Sequence, residues 1–343
     1  MKKKDIIELI RFHAEGNESA FRKAAYRIAE EFEKNEDRPL GEYIRALLSN
    51  VNAFVPQNFD TFSSFFERVN VANTPLYLPE VIQQDIMGLL HAFNKAPSVH
   101  KVMFQGAPGT GKTETVKHIA RILNKELYAA NFSQVIDSKL GQTQKNVDEM
   151  FRQISVLPHP KNVIILFDEL DALAMDRTNT HDLREMGRVT SSILKELDEL
   201  NKEVILIATT NLFEYFDKAL LRRFDAVIDF NRYTRDDIVD VAINLCEKYL
   251  NDCKSLGKNT KLLKKIIKGM EADMQPGDLD NIIKLSIAFS DTTDKYEYLR
   301  RIYQHVTKSN DDNIAKLSEK GYTLREIEIL TGVSKSKVCR ELN

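Results

Sequence analysis

Gly106-Ala107-Pro108-Gly109-Thr110-Gly111-Lys112-Thr113 fits the pattern G-x-x-x-x-G-K-[ST], and it stands between an apolar run, Val99–Phe104, and a helix-forming stretch, Lys112–Leu123. Glycines at those positions let successive backbone N–H groups turn toward one point. The helix that follows presents its positive end to the same point, so the loop is built to hold phosphate oxygens. Lys112 is placed to reach the β- and γ-phosphates of a nucleotide, and the Thr113 hydroxyl to ligate Mg²⁺. The expected cofactor-binding set runs without a gap through Gly106, Ala107, Pro108, Gly109, Thr110, Gly111, Lys112, Thr113 and Glu114, with ATP and Mg²⁺ as the ligands.

Working outward, residues 78–232 alternate short apolar runs with longer helical stretches. Val99–Phe104, Leu127–Phe132, Val163–Phe167, Val204–Ala208 and Ala226–Phe230 have strand length, and helical stretches of ten or more residues lie between the first four. That alternation predicts an α/β fold, a parallel sheet covered by helices on both faces. Three of the runs end in chemistry. Val163–Phe167 leads into Asp168-Glu169, where Asp168 is expected to hold the metal through its water shell and Glu169 to orient and deprotonate the attacking water. The run Val204–Ala208 leads through Thr209-Thr210 to Asn211, a polar amide placed to sense the γ-phosphate. Ahead of the last run stand Arg222 and Arg223, in the position of arginine fingers that act on a neighbouring copy.

The flanks divide the rest. Residues 1–55 read as a small helical domain, 56–77 as an aromatic connector, 233–309 as a helical lid without strands, and 310–343 as a final short module. The chain has 343 residues, with 49 Lys and Arg against 51 Asp and Glu, so no chain-wide basic field draws nucleic acid. Cys246, Cys253 and Cys339 have no CxxC spacing, which argues against both a disulfide framework and a zinc site. The apolar stretch near the N-terminus is interrupted by Glu8 and Arg11, too soon for a secretory segment, and no run approaches the ~20 apolar residues of a membrane span. A cytoplasmic protein without membrane contact is expected.

The order of these motifs resembles the AAA family of P-loop ATPases: the glycine-rich loop, Asp168-Glu169, the strand-end Asn211, then Ala219-Leu220-Leu221-Arg222-Arg223-Phe224-Asp225. Ser138–Phe151 is similar to the family's pore loop and following helix. Pro276-Gly277-Asp278-Leu279 is similar to the start of its lid helix, which brings Gly277 near the nucleotide. The resemblance covers about 78–308 and implies a ring-forming ATPase, commonly a hexamer, in which Arg222 and Arg223 complete a neighbour's site. Two departures stand out. Lys139 takes the place of the aromatic residue that unfoldases of the family carry in the pore loop, with Leu140 after it, and the lid helix has no sensor arginine. Ile6–Leu48 resembles the N-terminal stretch of a bacterial AAA subgroup often encoded beside subtilisin-like serine proteases, which implies a protease partner and a role in defence.

The C-terminal string from Gly321 to Leu342 is similar to helix-turn-helix domains, with Thr323 and Ser334 as N-caps and Gly332 in the turn. In that resemblance Lys335, Ser336, Lys337 and Arg340 face DNA. Residues 311–343 hold six basic and six acidic side chains, so the module is neutral by count, and Glu328 stands where such motifs pack a small residue. Two functions follow from the sequence: an oligomeric ATPase that remodels or regulates a partner protein, or a DNA-acting ATPase of the transposition-helper or helicase-loader kind.

Overall fold

The computed structural model describes residues 8–12, 18–34, 65–71, 75–95, 99–135, 142–157, 159–173, 182–253, 255–270, 274–291, 293–307 and 313–342. Met1–Ser64 form one compact unit and Phe65–Asn343 another. In the first unit, helix α1 (Glu18–Lys34) buries Ala24, Ala25, Ile28 and Ala29 along one stripe, and Arg27 pairs with Glu8 at 2.5 Å. Residues 8–12 are helical as well; the remaining residues up to 55, and the phenylalanines at 54, 59 and 62, lie outside the described residues.

The second unit is built on a six-stranded sheet in the order β1-β3-β4-β5-β2-β6. Its members are β1 (Phe66–Arg68), β2 (Lys101–Gln105), β3 (Glu126–Ala130), β4 (Val163–Phe167), β5 (Ile205–Thr210) and β6 (Ala226–Asp229). All pairings are parallel except β1 with β3. Every residue of β4 and β5 is buried, which is why both read as unbroken apolar runs rather than as alternating ones. Helices α2 (Glu80–Lys95) and α3 (Lys112–Ile122) cover one face, where Ile82, Ile86, Val116 and Ile119 meet Val102, Phe104, Ile164 and Ile207. Residues one step along the strands turn to the opposite face. There Phe167 packs edge-on against Phe132 of α4 (Phe132–Val135) and Phe151 of α5 (Gln142–Ser155).

Two local expectations change. The connector expected to be irregular contains β1, a strand too short for alternation to show; Phe66 is buried and Arg68 pairs with Glu126 at 2.7 Å. Phe132, expected at the end of a strand, opens α4 instead, because β3 stops at Ala130. Helix α6 (Asp182–Glu199) precedes β5, and α7 (Lys218–Leu221), capped by the Asp217 side chain, precedes β6. The pore-loop positions Lys139 and Leu140 lie outside the described residues.

Beyond β6 the chain is helical: α8 (Arg235–Asp252), α9 (Thr260–Lys268), α10 (Pro276–Ala288) and α11 (Glu297–Thr307), then α12 (Ile314–Glu319), α13 (Leu324–Thr331) and α14 (Lys335–Leu342). All seven share one apolar core. Ile314, Leu317, Ile327, Leu330 and Val338 from the last three helices, with Tyr322 from the turn between α12 and α13, join Leu262, Ile266, Leu299, Ile302 and Tyr303 from the lid. Polar contacts fasten the two together. Lys265 bonds both Gly321 O (2.6 Å) and Glu326 (2.9 Å), and Arg300 donates to Ile329 O at 3.0 Å. Glu328 has a structural use: its carboxylate accepts the Lys335 N–H at 3.0 Å, which caps α14.

Candidate active site

The site forms where β2, β4 and β5 end side by side. Because β2 lies between β5 and β6, its outgoing loop opens into a crevice at a reversal of strand order, where open α/β sheets bind ligands. The loop Gly106–Gly111 carries positive φ at Gly106 (151°), Gly109 (78°) and Gly111 (90°). A Cβ at Gly106 would also meet Phe230 Cβ at 3.0 Å, so the strand-to-loop exit needs glycine twice over. Asn231 Oδ1 accepts Ala107 N–H (2.8 Å), and Tyr233 OH donates to Thr110 O (3.0 Å). The loop is thus held from the β6 side as well as by its own helix.

A cleft of about 470 Å³ opens above it. Pro108 to Glu114 line the floor, Asp168, Glu169, Thr209 and Asn211 one wall, and Leu76, Tyr77, Val241, Leu245 and Gly277 the apolar end. Lys112 is only 7% exposed, and its Nζ donates to Gly106 O (2.7 Å), Ala107 O (2.8 Å) and Asn211 Oδ1 (2.7 Å). Burial pushes its pKa down, while the carboxylates of Asp168, Asp171 and Glu169 push back. The Thr113 hydroxyl donates to Asp168 Oδ1 at 2.8 Å. A hydroxyl and a carboxylate side by side, with room for water and phosphate oxygens, form a donor set that fits a hard divalent cation such as Mg²⁺.

Glu169 sits at φ 51°, in the left-handed region, which costs a non-glycine residue about 1–3 kcal/mol. Its backbone N–H is taken by Thr209 Oγ1 at 3.0 Å, and its exposed side chain borders the cleft. Asp171 is a site residue that the sequence reading missed. Its buried carboxylate accepts from Thr210 Oγ1 (3.0 Å) and from Asn211 N (3.2 Å), so it fixes the turn that aims Asn211. A second acid three residues past Asp168, opposite a Thr-Thr-Asn strand end, was the available signal.

Gly277 opens α10 against the loop itself: its N–H donates to Gly109 O at 2.8 Å, and a Cβ there would stand 2.9 Å from Gly109 Cα. Lid and loop therefore touch backbone to backbone. Glu114 pairs with Lys117 at 2.6 Å at the mouth of the cleft. Gly106 and Ala107 lie beneath the floor and contribute their carbonyls to Lys112.

The two arginines are not brought to this cleft. Arg223 is tied to its own chain, donating to Asp198 (3.1 and 3.3 Å) and to Ala219 O (3.1 Å). Arg222 is exposed, and its guanidinium has no partner among the described residues. Lys335, Ser336, Lys337 and Arg340 are exposed on α14, away from the cleft; Lys337 pairs loosely with Glu341 at 4.0 Å.

Four likenesses to known proteins bear on the site. Residues 102–232 match the family described as ATPase family associated with various cellular activities (AAA). The AAA family ATPase y4kL of Sinorhizobium fredii is 30% identical over 237 residues, which span 63% of this chain and 71% of that protein. The Cell division cycle protein 48 homolog of Archaeoglobus fulgidus is 35% identical over 167 residues, 42% of this chain and 22% of the homolog, so the likeness spans about a fifth of that protein. Among solved structures, one chain of the E. coli MS115-1 HORMA:CdnC:Trip13 complex shares the fold at a TM-score of 0.53 and 18% identity, covering 74% of this chain and 98% of that one.

Proposed function

This chain belongs to the AAA family of ATPases, and on that premise we propose that it works as a ring, a hexamer, that couples Mg-ATP hydrolysis to the remodelling or regulation of a partner protein. Each residue of the cleft has a task in that reaction. The loop N–H groups and Lys112 hold the phosphates, and Lys112 exchanges its carbonyl acceptors for phosphate oxygens as ATP enters. Thr113 and Asp168 hold Mg²⁺, which when bound neutralises charge on the β- and γ-phosphates. Glu169 takes a proton from the attacking water, and Asn211, already hydrogen-bonded to Lys112, aligns that water with the γ-phosphate.

One observation carries the oligomeric reading. The cleft holds the base, the cradle and the metal donors from a single chain, yet the arginines stand outside it, and Arg222 has no partner among the described residues. A transition state gathering negative charge needs a cation there, and a second copy supplies it. Mixing tests this. Arg222→Ala and Lys112→Ala are each inactive alone, and together they recover part of the activity, because one subunit offers an intact cleft and the other an intact arginine. No recovery at any ratio, with both proteins assembled, removes the trans assignment.

A protein substrate is the favoured partner. The Trip13 chain of like fold comes from a complex that contains a HORMA protein, and the first unit here carries the amphipathic helix α1 outside the residues that build the ATPase fold. The resemblance of Ile6–Leu48 points to a subtilisin-like protease and to bacterial defence as the setting, testable by co-purification. Among the described residues, no helix is long and apolar enough to cross a membrane.

One observation favours the second reading, action on DNA through a helix-turn-helix at α12–α14. The module is neutral by count, but Glu326 is drawn to Lys265 and Glu328 to the α14 N-terminus. The face of α14 then presents Lys335, Lys337 and Arg340 against Glu341. Duplex DNA affinity that falls steeply with salt and disappears in Lys337→Ala/Arg340→Ala supports it; no binding at low salt rejects it.

A further inference from the structure

The parallel register of β4 with β5 sets Phe167 beside Ala208, so the next residues, Asp168 and Thr209, emerge side by side at the ends of the strands. Thr209 is 1% exposed. Its hydroxyl makes two bonds with opposite polarity, donating to Asp168 Oδ1 at 2.6 Å and accepting the Glu169 N–H at 3.0 Å. One buried oxygen thus holds the metal-side carboxylate and, through the backbone, the residue that carries the base. The neighbouring hydroxyl cannot replace it: Thr210, the next residue of β5, turns to the opposite face of the sheet and is committed to Asp171 and to Leu212 N–H.

We propose that Thr209 is a positioning residue for ATP hydrolysis: its hydroxyl sets the orientation of the Asp168 carboxylate toward the metal and pins the left-handed backbone from which Glu169 reaches the water. The inference rests on the ATPase reading above and deepens it. Two donors meet on Asp168 Oδ1, the hydroxyls of Thr113 and Thr209. A hydroxyl that lends a lone pair to a metal keeps its O–H, so Thr113 can ligate and still donate, and the buried Thr209 hydroxyl is the second donor that fixes the direction of the carboxylate. On the other side, a Glu169 N–H without its acceptor would be free to leave the left-handed region, and the carboxylate would leave the cleft wall with it.

The test uses the full-length protein with Thr209→Val, which keeps the shape and deletes the hydroxyl, and Thr209→Ser, which keeps the hydroxyl. Thermal unfolding first confirms that both are folded. The Val variant is expected to lower kcat by about 10–100-fold, the usual scale for loss of a partner behind a metal ligand, with KM for ATP changed less than about twofold. Mn²⁺ titrated by paramagnetic resonance into protein saturated with a non-hydrolysable ATP analogue gives a readout free of turnover, and the Val variant should bind it about tenfold more weakly. Ser should restore both values to within about threefold of wild type. Wild-type kcat and Mn²⁺ affinity in the Val variant overturn the proposal, as does a Ser variant as poor as Val, which would reduce Thr209 to packing. Glu169→Gln run in parallel separates the two readings: normal hydrolysis by that variant removes the base assignment, while the Mn²⁺ titration still judges Thr209.

Discussion

The nucleotide cleft and the C-terminal three-helix module were both visible as motifs in the sequence, yet they differ in where their chemistry comes from. In the cleft, strand register does the placing. Thr113 and Asp168 are 55 residues apart and meet at 2.8 Å because β2 and β4 end at the same level of one sheet. In the module, side-chain choices decide. Six bases against six acids over 311–343 predict no polarity, and polarity appears only once Glu326 finds Lys265, 61 residues away, and Glu328 turns to the α14 N-terminus. Spacing along a chain reports the first kind of placement and is blind to the second.

If that contrast holds, changes in the cleft strike turnover and spare stability, while changes in the module do the reverse. The largest effect is expected from Glu169→Gln, which lowers kcat by about 10²–10⁴-fold and leaves ATP bound, as judged by steady-state hydrolysis beside nucleotide retention. Next comes Gly277→Ala. Its methyl group meets the Gly109 backbone, which cannot yield as a flexible side chain would, so lid and loop must part. A fall of about 10–100-fold in kcat/KM is expected, with the melting temperature little changed.

Glu326→Gln acts on the module alone. The charge of the Lys265 pair is lost while the Thr323 capping box stays, since a Gln amide oxygen still accepts the Thr323 N–H, which costs at most about 1 kcal/mol in urea unfolding with kcat unaltered. Burial raises the Glu326 pKa, but the Thr323 N–H and the Lys265 ammonium outweigh it and hold the group below the usual range. A carboxylate held low stabilises above its unfolded pKa, so the deficit of the variant fades as pH falls through the carboxylate range. A turnover defect in this variant would break the contrast, since it would show that the module feeds the cleft through the shared core.

The smallest effect belongs to neither region. His100 is buried at the entrance to β2, and neither ring nitrogen has a hydrogen-bond partner among the described residues; Asp225 Oδ2 stands 3.5 Å from Nδ1. Burial lowers its pKa more than Asp225 raises it, so the unfolded chain takes up a proton that the native chain refuses. Stability therefore falls as pH drops below about 6.5, with a slope of at most about 1.4 kcal/mol per pH unit, and His100→Gln should flatten that slope between pH 5 and 7.

The sheet and the P-loop were legible because burial on both faces writes β4 and β5 as unbroken apolar runs, and a phosphate loop needs glycine where φ is positive. The antiparallel β1 escaped because three residues carry no period. Arg222 and Arg223 read alike in sequence. The positions of Asp198 on α6 and of the Ala219 carbonyl divide them: both tether Arg223, while Arg222 has no partner among the described residues. Asp171 and Thr209 escaped for the same reason as the polarity of the module: their roles lie in which partner each hydroxyl and carboxylate selects.

The central claim, a cleft completed by a neighbour's arginine, is tested most directly by the ATPase rate per subunit as a function of protein concentration. Specific activity is expected to rise with concentration and level off where sizing shows the oligomer fully formed, with Arg222→Ala lower by about 10³-fold, roughly 4 kcal/mol, at every concentration. A specific activity that stays constant down to concentrations at which the protein is monomeric would contradict it, and would place the missing cation within the chain itself.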